Sequence, residues 1–163
     1  MLIEPGLAEG GNWIPSGNFI KGIRDICDKH GWLMIADEVL TGLGRTAEMW
    51  GMDHYEVIPD MLIVGKNLSG GIAPCAGVAT RDEILGNNPS ASSGSTFAGT
   101  PAGCAAGLKT LEIYKRDKVI DHAKKLAQIA KSRMEPWCEK YSIVSETRQL
   151  GLLMGISFNL PDS

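Results

Sequence analysis

The sequence predicts an α/β fold with a mainly parallel sheet and helices on its faces. Two short, continuously apolar runs, Trp32–Ala36 and Met61–Gly65, read as strands covered on both faces, the pattern of parallel sheets. A third apolar stretch, Met1-Leu2-Ile3, is joined to the first run by a helical pattern. Strand, helix, strand is the unit that links neighbouring parallel strands.

Taken in order, Met1-Leu2-Ile3 enters Glu4-Pro5-Gly6 and reads as the tail of a buried strand running into a loop. From Pro15 to His30, Phe19, Ile20, Ile23, Ile26 and Cys27 recur at spacings of three and four, with Ser16 placed to cap the start and Gly31 to end the helix. After the strand Trp32–Ala36 comes Asp37-Glu38, then a Gly-rich stretch from Thr41 to Gly51. Pro59-Asp60 precedes the second strand, which ends at Lys66, and Cys75 to Thr80 suits a further strand. Asn87 to Gly99 has turn formers and no periodicity, so a long loop is expected there. Thr100 to Arg116 reads as a helix despite its glycines, and Val119 to Tyr141 as a longer one interrupted near Pro136. Ile143-Val144 and Leu152 to Phe158 read as strands.

Composition narrows the function classes. With 163 residues, 44% hydrophobic and 21% charged, the chain matches an ordinary globular domain, but its 20 glycines exceed the usual share of about 7%. A net charge of −3, with Lys and Arg dispersed among acids, gives no footprint for nucleic acid or for an anionic membrane. No apolar run reaches the ~20 residues that span a bilayer. Cys27, Cys75, Cys104 and Cys138 are widely spaced and form no C-x-x-C pair, which suits reduced thiols and a cytoplasmic location. His30, His54 and His122 have no partner at ligand spacing, so no metal site is expected. Gly65 to Gly71 lacks the order of a nucleotide-binding P-loop.

The chemistry concentrates where two strands end. Ile35-Ala36-Asp37 and Val64-Gly65-Lys66 each finish in a charged residue, and ligands of open α/β sheets bind at that edge. An acid and a lysine facing one small ligand suit a pyridine ring that carries an aldehyde: the amine condenses with the aldehyde, and the carboxylate keeps the ring nitrogen protonated. The same two residues also suit an ordinary salt bridge, or two solvated charges.

The surrounding words form an ordered series: Ala36-Asp37-Glu38-Val39, Thr41-Gly42, Gly44-Arg45-Thr46, Pro59-Asp60, Gly65-Lys66-Asn67-Leu68-Ser69-Gly70-Gly71 and Thr96-Phe97-Ala98-Gly99-Thr100-Pro101. This series resembles the class III, or ω-, aminotransferases, over nearly the whole chain from Glu4-Pro5 to Gly151–Ile156. The resemblance implies pyridoxal 5′-phosphate as cofactor, and transfer of an amino group from an amine or amino acid to a 2-oxo acid. It makes Lys66 the catalytic Schiff-base lysine, Asp37 the partner of the ring nitrogen and Val39 the apolar residue against one ring face. Thr96, with Ser95 beside it, resembles the hydroxyl that binds the cofactor phosphate across the interface of a homodimer. Glu9 is similar to a glutamate that in some members pairs with a mobile arginine and switches between substrates. No arginine follows Arg148 to pair with it, and Leu40 stands where many relatives have glutamine.

The implied architecture is part of the large domain of a fold type I aminotransferase for residues 1–117, and the start of a small α+β C-terminal domain for 118–163. Relatives carry an upstream Gly/Ser phosphate loop and a stacked aromatic ring that nothing in this sequence matches, so a truncated chain, inactive alone, is expected. Racemases, epimerases and a decarboxylase that share the same lysine and acid are the enzymatic alternative, and a non-catalytic remnant the other. Arg45 suits either a carboxylate clamp or a fixed turn. Trp50 suits the core or the approach to the substrate.

Overall fold

The computed structural model describes residues 1–86 and 99–160. Its main sheet has four strands in the order β1 (Leu2–Ile3), β2 (Ile35–Asp37), β3 (Met61–Val64) and β4 (Gly77–Thr80). The first three are parallel, with Ile3 opposite Ala36 and Ala36 opposite Leu62, and β4 runs antiparallel to β3.

Helix α1 (Gly17–His30) makes the crossover from β1 to β2. The Ser16 hydroxyl accepts from the Phe19 amide at its start, and Gly31, at φ 65°, closes its end. Ile20, Ile23 and Cys27 form its buried stripe and join Met34, Ala36, Met52, Tyr55 and Val57 in the core. Phe19 and Ile26, which the spacing places with them, stay exposed. The strand before Asp37 is also shorter than the apolar run suggests. The Trp32 amide bonds back to the Cys27 carbonyl at 2.8 Å, the Trp32 ring stacks on His30, and its side is 51% exposed, so β2 starts only at Ile35.

Asp60 ties α1 to the sheet. Its carboxylate accepts from the Arg24 guanidinium and the Met34 amide, both at 2.8 Å, and from Arg81 at 3.0 Å. Burial pushes this carboxyl up, but the Met34 amide and the two guanidiniums outweigh it and hold it at about 2.

After β4 come a short helix α2 (Asp82–Leu85) and, beyond residue 98, α3 (Pro101–Arg116), capped by the Thr100 hydroxyl on the Gly103 amide. The first of the α3 glycines has a packing reason. A Cβ at Gly103 would come within 2.8 Å of the Pro74 carbonyl oxygen, so only glycine lets the helix lie this close to the segment that follows Lys66. Helices α4 (Val119–Met134) and α5 (Trp137–Lys140) are separated at Pro136, where the sequence places the break. Strands β5 (Val144–Leu150) and β6 (Leu153–Phe158) form a separate antiparallel hairpin turned at Gly151, φ 60°. The polar residues Ser145–Gln149 belong to β5, which apolar patterning alone did not reveal.

Candidate active site

β2 and β3 end side by side. Asp37 is the parallel partner of Ile63, and the Glu38 amide donates to the Ile63 carbonyl at 2.9 Å, so the pairing persists to the last residue. β3 stops at Val64, and the chain turns at once into a 3₁₀ turn, Lys66–Ser69. Gly65 lies against the Val39 side chain, because a Cβ there would sit 3.6 Å from both Val39 methyls. Lys66 has φ 42°, a left-handed conformation that residues with side chains seldom adopt and that tends to occur where surrounding structure enforces it for function.

Beside these strand ends is a cleft of about 330 Å³ lined by Val39, Leu40, Gly42, Arg45, Lys66, Asn67, Gly70 and Gly71. Two predicted site residues, Val39 and Lys66, therefore share one cavity. Asp37 does not line this cleft; it lies two residues before Val39 at the end of β2, with one carboxylate oxygen accepting from the Val39 amide at 3.0 Å. The amide bond fixes the carboxylate at the strand end. A lysine amine and an apolar valine in one cavity, with a carboxylate at the end of the neighbouring strand, are groups that suit an aldehyde-bearing pyridinium ring, so the residues present fit pyridoxal phosphate.

Glu38 has a different task, which sequence reasoning missed. It is 2% exposed, and its carboxylate accepts from the Thr41 hydroxyl and from the amides of Gly51 and Met52, the last two at 2.8 Å. Burial pushes its carboxyl up, against the pull of those three donors. It thereby ties the end of β2 to the 3₁₀ turn Gly51–Tyr55. Tyr55 closes the far side: its buried hydroxyl donates to the Pro5 carbonyl at 2.6 Å, and burial, aided by the Glu38 charge, pushes the phenol up to about 12. The available signal was a glutamate in an apolar setting with Thr41 three residues later.

The Gly-rich stretch is braced from α3. The Tyr114 hydroxyl donates to the Leu43 carbonyl and accepts from the Asn67 side-chain amide, each at 2.9 Å, which joins that stretch to the turn carrying Lys66. Burial pushes the Tyr114 phenol up, opposed by the Arg45 charge and the Asn67 hydrogen bond.

The other expected residues lie elsewhere. Glu9 is exposed in the turn between Leu7 and Trp13, and it does not line the Lys66 cleft. That turn is held by Arg148, which donates to the Gly11 carbonyl and lies 4.4 Å over the Trp13 ring. Ser95 and Thr96 lie outside the described residues. Trp50 packs near Gly42 and borders a separate cavity with Asp60 and Arg81, not the one that holds Lys66.

A parallel-containing α/β sheet with an acid and a lysine at adjacent strand ends defines a class of proteins that handle a ligand at the carboxyl edge of the sheet. The sequence profile of the family described as aminotransferase class-III matches residues 1–163, and the chain belongs to that family. Among relatives, an uncharacterized aminotransferase of Archaeoglobus fulgidus is 38% identical over 159 residues, which covers 96% of this chain and 37% of that protein. The structure of acetylornithine aminotransferase from Elizabethkingia anophelis superposes with a TM-score of 0.91 at 38% identity, covering 99% of this chain and 43% of that one. Taurine:2-oxoglutarate aminotransferase from Bifidobacterium kashiwanohense, solved in complex with PLP and glutamate, superposes with a TM-score of 0.90 at 33% identity, covering 96% of this chain and 36% of that one. The chain thus spans about two fifths of the length of the proteins it matches.

Proposed function

We propose that this chain provides the lysine-bearing side of a pyridoxal-phosphate aminotransferase site, which moves an amino group from an amine or amino acid to a 2-oxo acid. The observation that carries this reading is the pairing of Asp37 with Ile63, which sets an acid at one sheet edge with Lys66 three residues beyond Ile63, in the turn that follows the neighbouring strand. Pyridoxal phosphate, when bound, supplies an aldehyde for amines and a ring that takes up electron density from the substrate carbon.

Lys66 would hold the aldehyde end through Nζ, and its amine, once displaced by substrate, would carry a proton at the substrate α-carbon. Asp37, held by the Val39 amide, would keep the ring nitrogen protonated. Val39 would pack on a ring face. Ser95 and Thr96 would donate to the phosphate from the second subunit of a homodimer, and Glu9 would contribute to substrate choice.

The test is covalent. The chain is incubated with pyridoxal phosphate, reduced with borohydride and mapped by mass spectrometry. Preferential labelling of Lys66, with the imine absorbance lost in Lys66→Ala, is the expected result. Labelling spread evenly over the other lysines would sink the reading. A transamination assay with and without a 2-oxo acid acceptor separates transfer from racemisation, which needs no acceptor.

A further inference from the structure

We propose that Arg148 is a positioning residue for the turn that carries Glu9, and that through it the hairpin β5–β6 sets where that glutamate stands. Its bearing on substrate choice rests on the aminotransferase reading above; its hold on the turn does not. The turn is tightest at its base, where Leu7 and Trp13 exchange backbone hydrogen bonds at 2.8 and 3.1 Å. Farther out, the Gly11 and Asn12 amides reach the Ala8 carbonyl at 3.3 and 3.2 Å. Gly11 (φ 101°) and Asn12 (φ 55°) both have positive φ. Asparagine accepts that conformation more readily than most residues, but at a cost, so local chemistry alone does not secure this shape.

The hairpin supplies what the turn lacks. Arg148 Nε and Nη2 both donate to the Gly11 carbonyl, at 3.1 and 2.9 Å, and the guanidinium carbon lies 4.4 Å from the centre of the Trp13 ring. The third nitrogen, Nη1, pairs with Glu146, which aims the fork. The side chain is 11% exposed, so these bonds form largely out of water, where they are stronger. Gly155 stands directly opposite Arg148 across the hairpin. A Cβ there would come within 3.1 Å of the Gly11 carbonyl oxygen and 3.0 Å of the Asn12 Cβ, so the glycine leaves room for the carbonyl that the arginine binds. Next to it, the Met154 carbonyl accepts from Asn12 Nδ2 at 2.7 Å. Both positive-φ residues of the turn are thus received by one cross-strand seat. The hairpin has its own mounting elsewhere: the Leu152 amide donates to the Arg45 carbonyl at 2.9 Å, and Gln149 donates to the Ala127 carbonyl at 2.8 Å. Removing Arg148 therefore releases the turn and leaves the hairpin in place. Glu9 lies exposed two residues before the bound carbonyl, so the backbone shape that Arg148 holds decides where its carboxylate is presented.

The experiment follows amide hydrogen exchange in the 163-residue chain, together with the amide resonance of Glu9 and the indole N–H resonance of Trp13. Arg148→Met keeps the apolar stem and removes fork and charge. It is expected to speed exchange at Gly11 and Asn12 about tenfold and to shift the Glu9 and Trp13 resonances, while exchange across β5 and β6 stays within about twofold. Arg148→Lys returns a cation to the Trp13 ring without the fork, so it should restore the indole resonance more fully than the exchange protection. Gly155→Ala leaves Arg148 in place and should shift the same turn resonances by crowding the Gly11 carbonyl. The proposal is overturned if Gly11, Asn12 and Glu9 are unchanged in Arg148→Met. It is equally overturned if their protection falls only in step with that of β5, β6 and the thermal midpoint, which would give Arg148 a role in the fold as a whole. Lys66 labelling of the parent chain is read separately. Its failure with the turn result intact removes the aminotransferase reading and the purpose assigned to Glu9, whereas the reverse result removes only the present proposal.

Discussion

Asp37 and Ile63 stand opposite one another across two parallel strands, and the Glu38 amide extends that pairing by one further hydrogen bond to the Ile63 carbonyl. The consequence is that Asp37 cannot shift along β2 without breaking the sheet, so the separation between its carboxylate and the turn carrying Lys66 is set by strand register. A one-residue slip would also turn every β2 side chain to the other face.

From this arrangement, Asp37→Asn is expected to leave the fold intact and Lys66 still reactive, because the amide can accept from Val39 as the carboxylate does. It should weaken retention of pyridoxal phosphate by about tenfold to a hundredfold, the scale of a charge-assisted hydrogen bond. Equilibrium dialysis of the unreduced complex measures this. Equal retention by the parent chain and the variant would remove Asp37 from the site.

Glu38 makes a prediction of opposite sign for the fold. In Glu38→Gln the new amide group sets donors against donors at Gly51, Met52 or Thr41, leaving at least one buried group unpaired, which costs about 1–3 kcal/mol. Denaturant melts report it. The pH dependence follows from the raised carboxyl: the folded state holds the Glu38 proton more tightly than the unfolded chain. Its contribution is therefore complete below the ordinary glutamate range and declines as pH rises through the folded value. Glu38→Gln should flatten that decline.

The contrast between Asp37 and Glu38 shows what the sequence disclosed and what it did not. Strand ends, the α1 cap at Ser16, the break at Pro136 and the placement of Asp37 and Lys66 were all legible, because each depends on local chemistry: a cap, a ring without an amide proton, an apolar run with a charged end. Glu38 was not, because its partners Gly51 and Met52 are distant in sequence and offer only backbone amides, which any residue carries. The continuation of β5 beyond Val144 was missed for a related reason. Arg148 and Gln149 spend their side chains on the Gly11 and Ala127 carbonyls, so a strand held by long-range polar contacts has no apolar alternation to betray it. Trp32 and Leu33 misled in the other direction, being apolar yet exposed where the chain leaves α1.

Gly103→Val tests whether α3 fixes the lysine turn. The added side chain would begin 2.8 Å from the Pro74 carbonyl oxygen and 2.9 Å from the Thr100 hydroxyl, forcing the helix outward. Overpacking of this kind costs about 1–3 kcal/mol. Because α3 carries the Tyr114 link between Asn67 and Leu43, selective labelling of Lys66 should fall along with the melting temperature. Tyr114→Phe, which removes the link without the clash, should reduce labelling while costing about 1 kcal/mol in stability. Labelling that follows stability alone across both variants would show that the link does not position the lysine.

Asp60 sets the acid limit of the fold. Its carboxyl is held at about 2, below the ordinary 3.8, so the charged form is favoured in the folded chain and contributes stability at all higher pH. That contribution is present above the ordinary aspartate value and is lost as pH falls through the folded one, which places an acid-unfolding slope between about pH 4 and pH 2. Asp60→Asn removes the charge that Arg24, Arg81 and the Met34 amide all address, and should cost about 2 kcal/mol at neutral pH while abolishing most of that acid slope. Melts at pH 7 and at steps down to pH 2 measure both quantities. Since the half-buried Arg24 would lose the less exposed of its two carboxylate partners and keep only Asp28, Arg24→Met combined with Asp60→Asn should recover part of the loss. A double variant no more stable than Asp60→Asn would mean that the Met34 amide, rather than the ion pair, accounts for the effect.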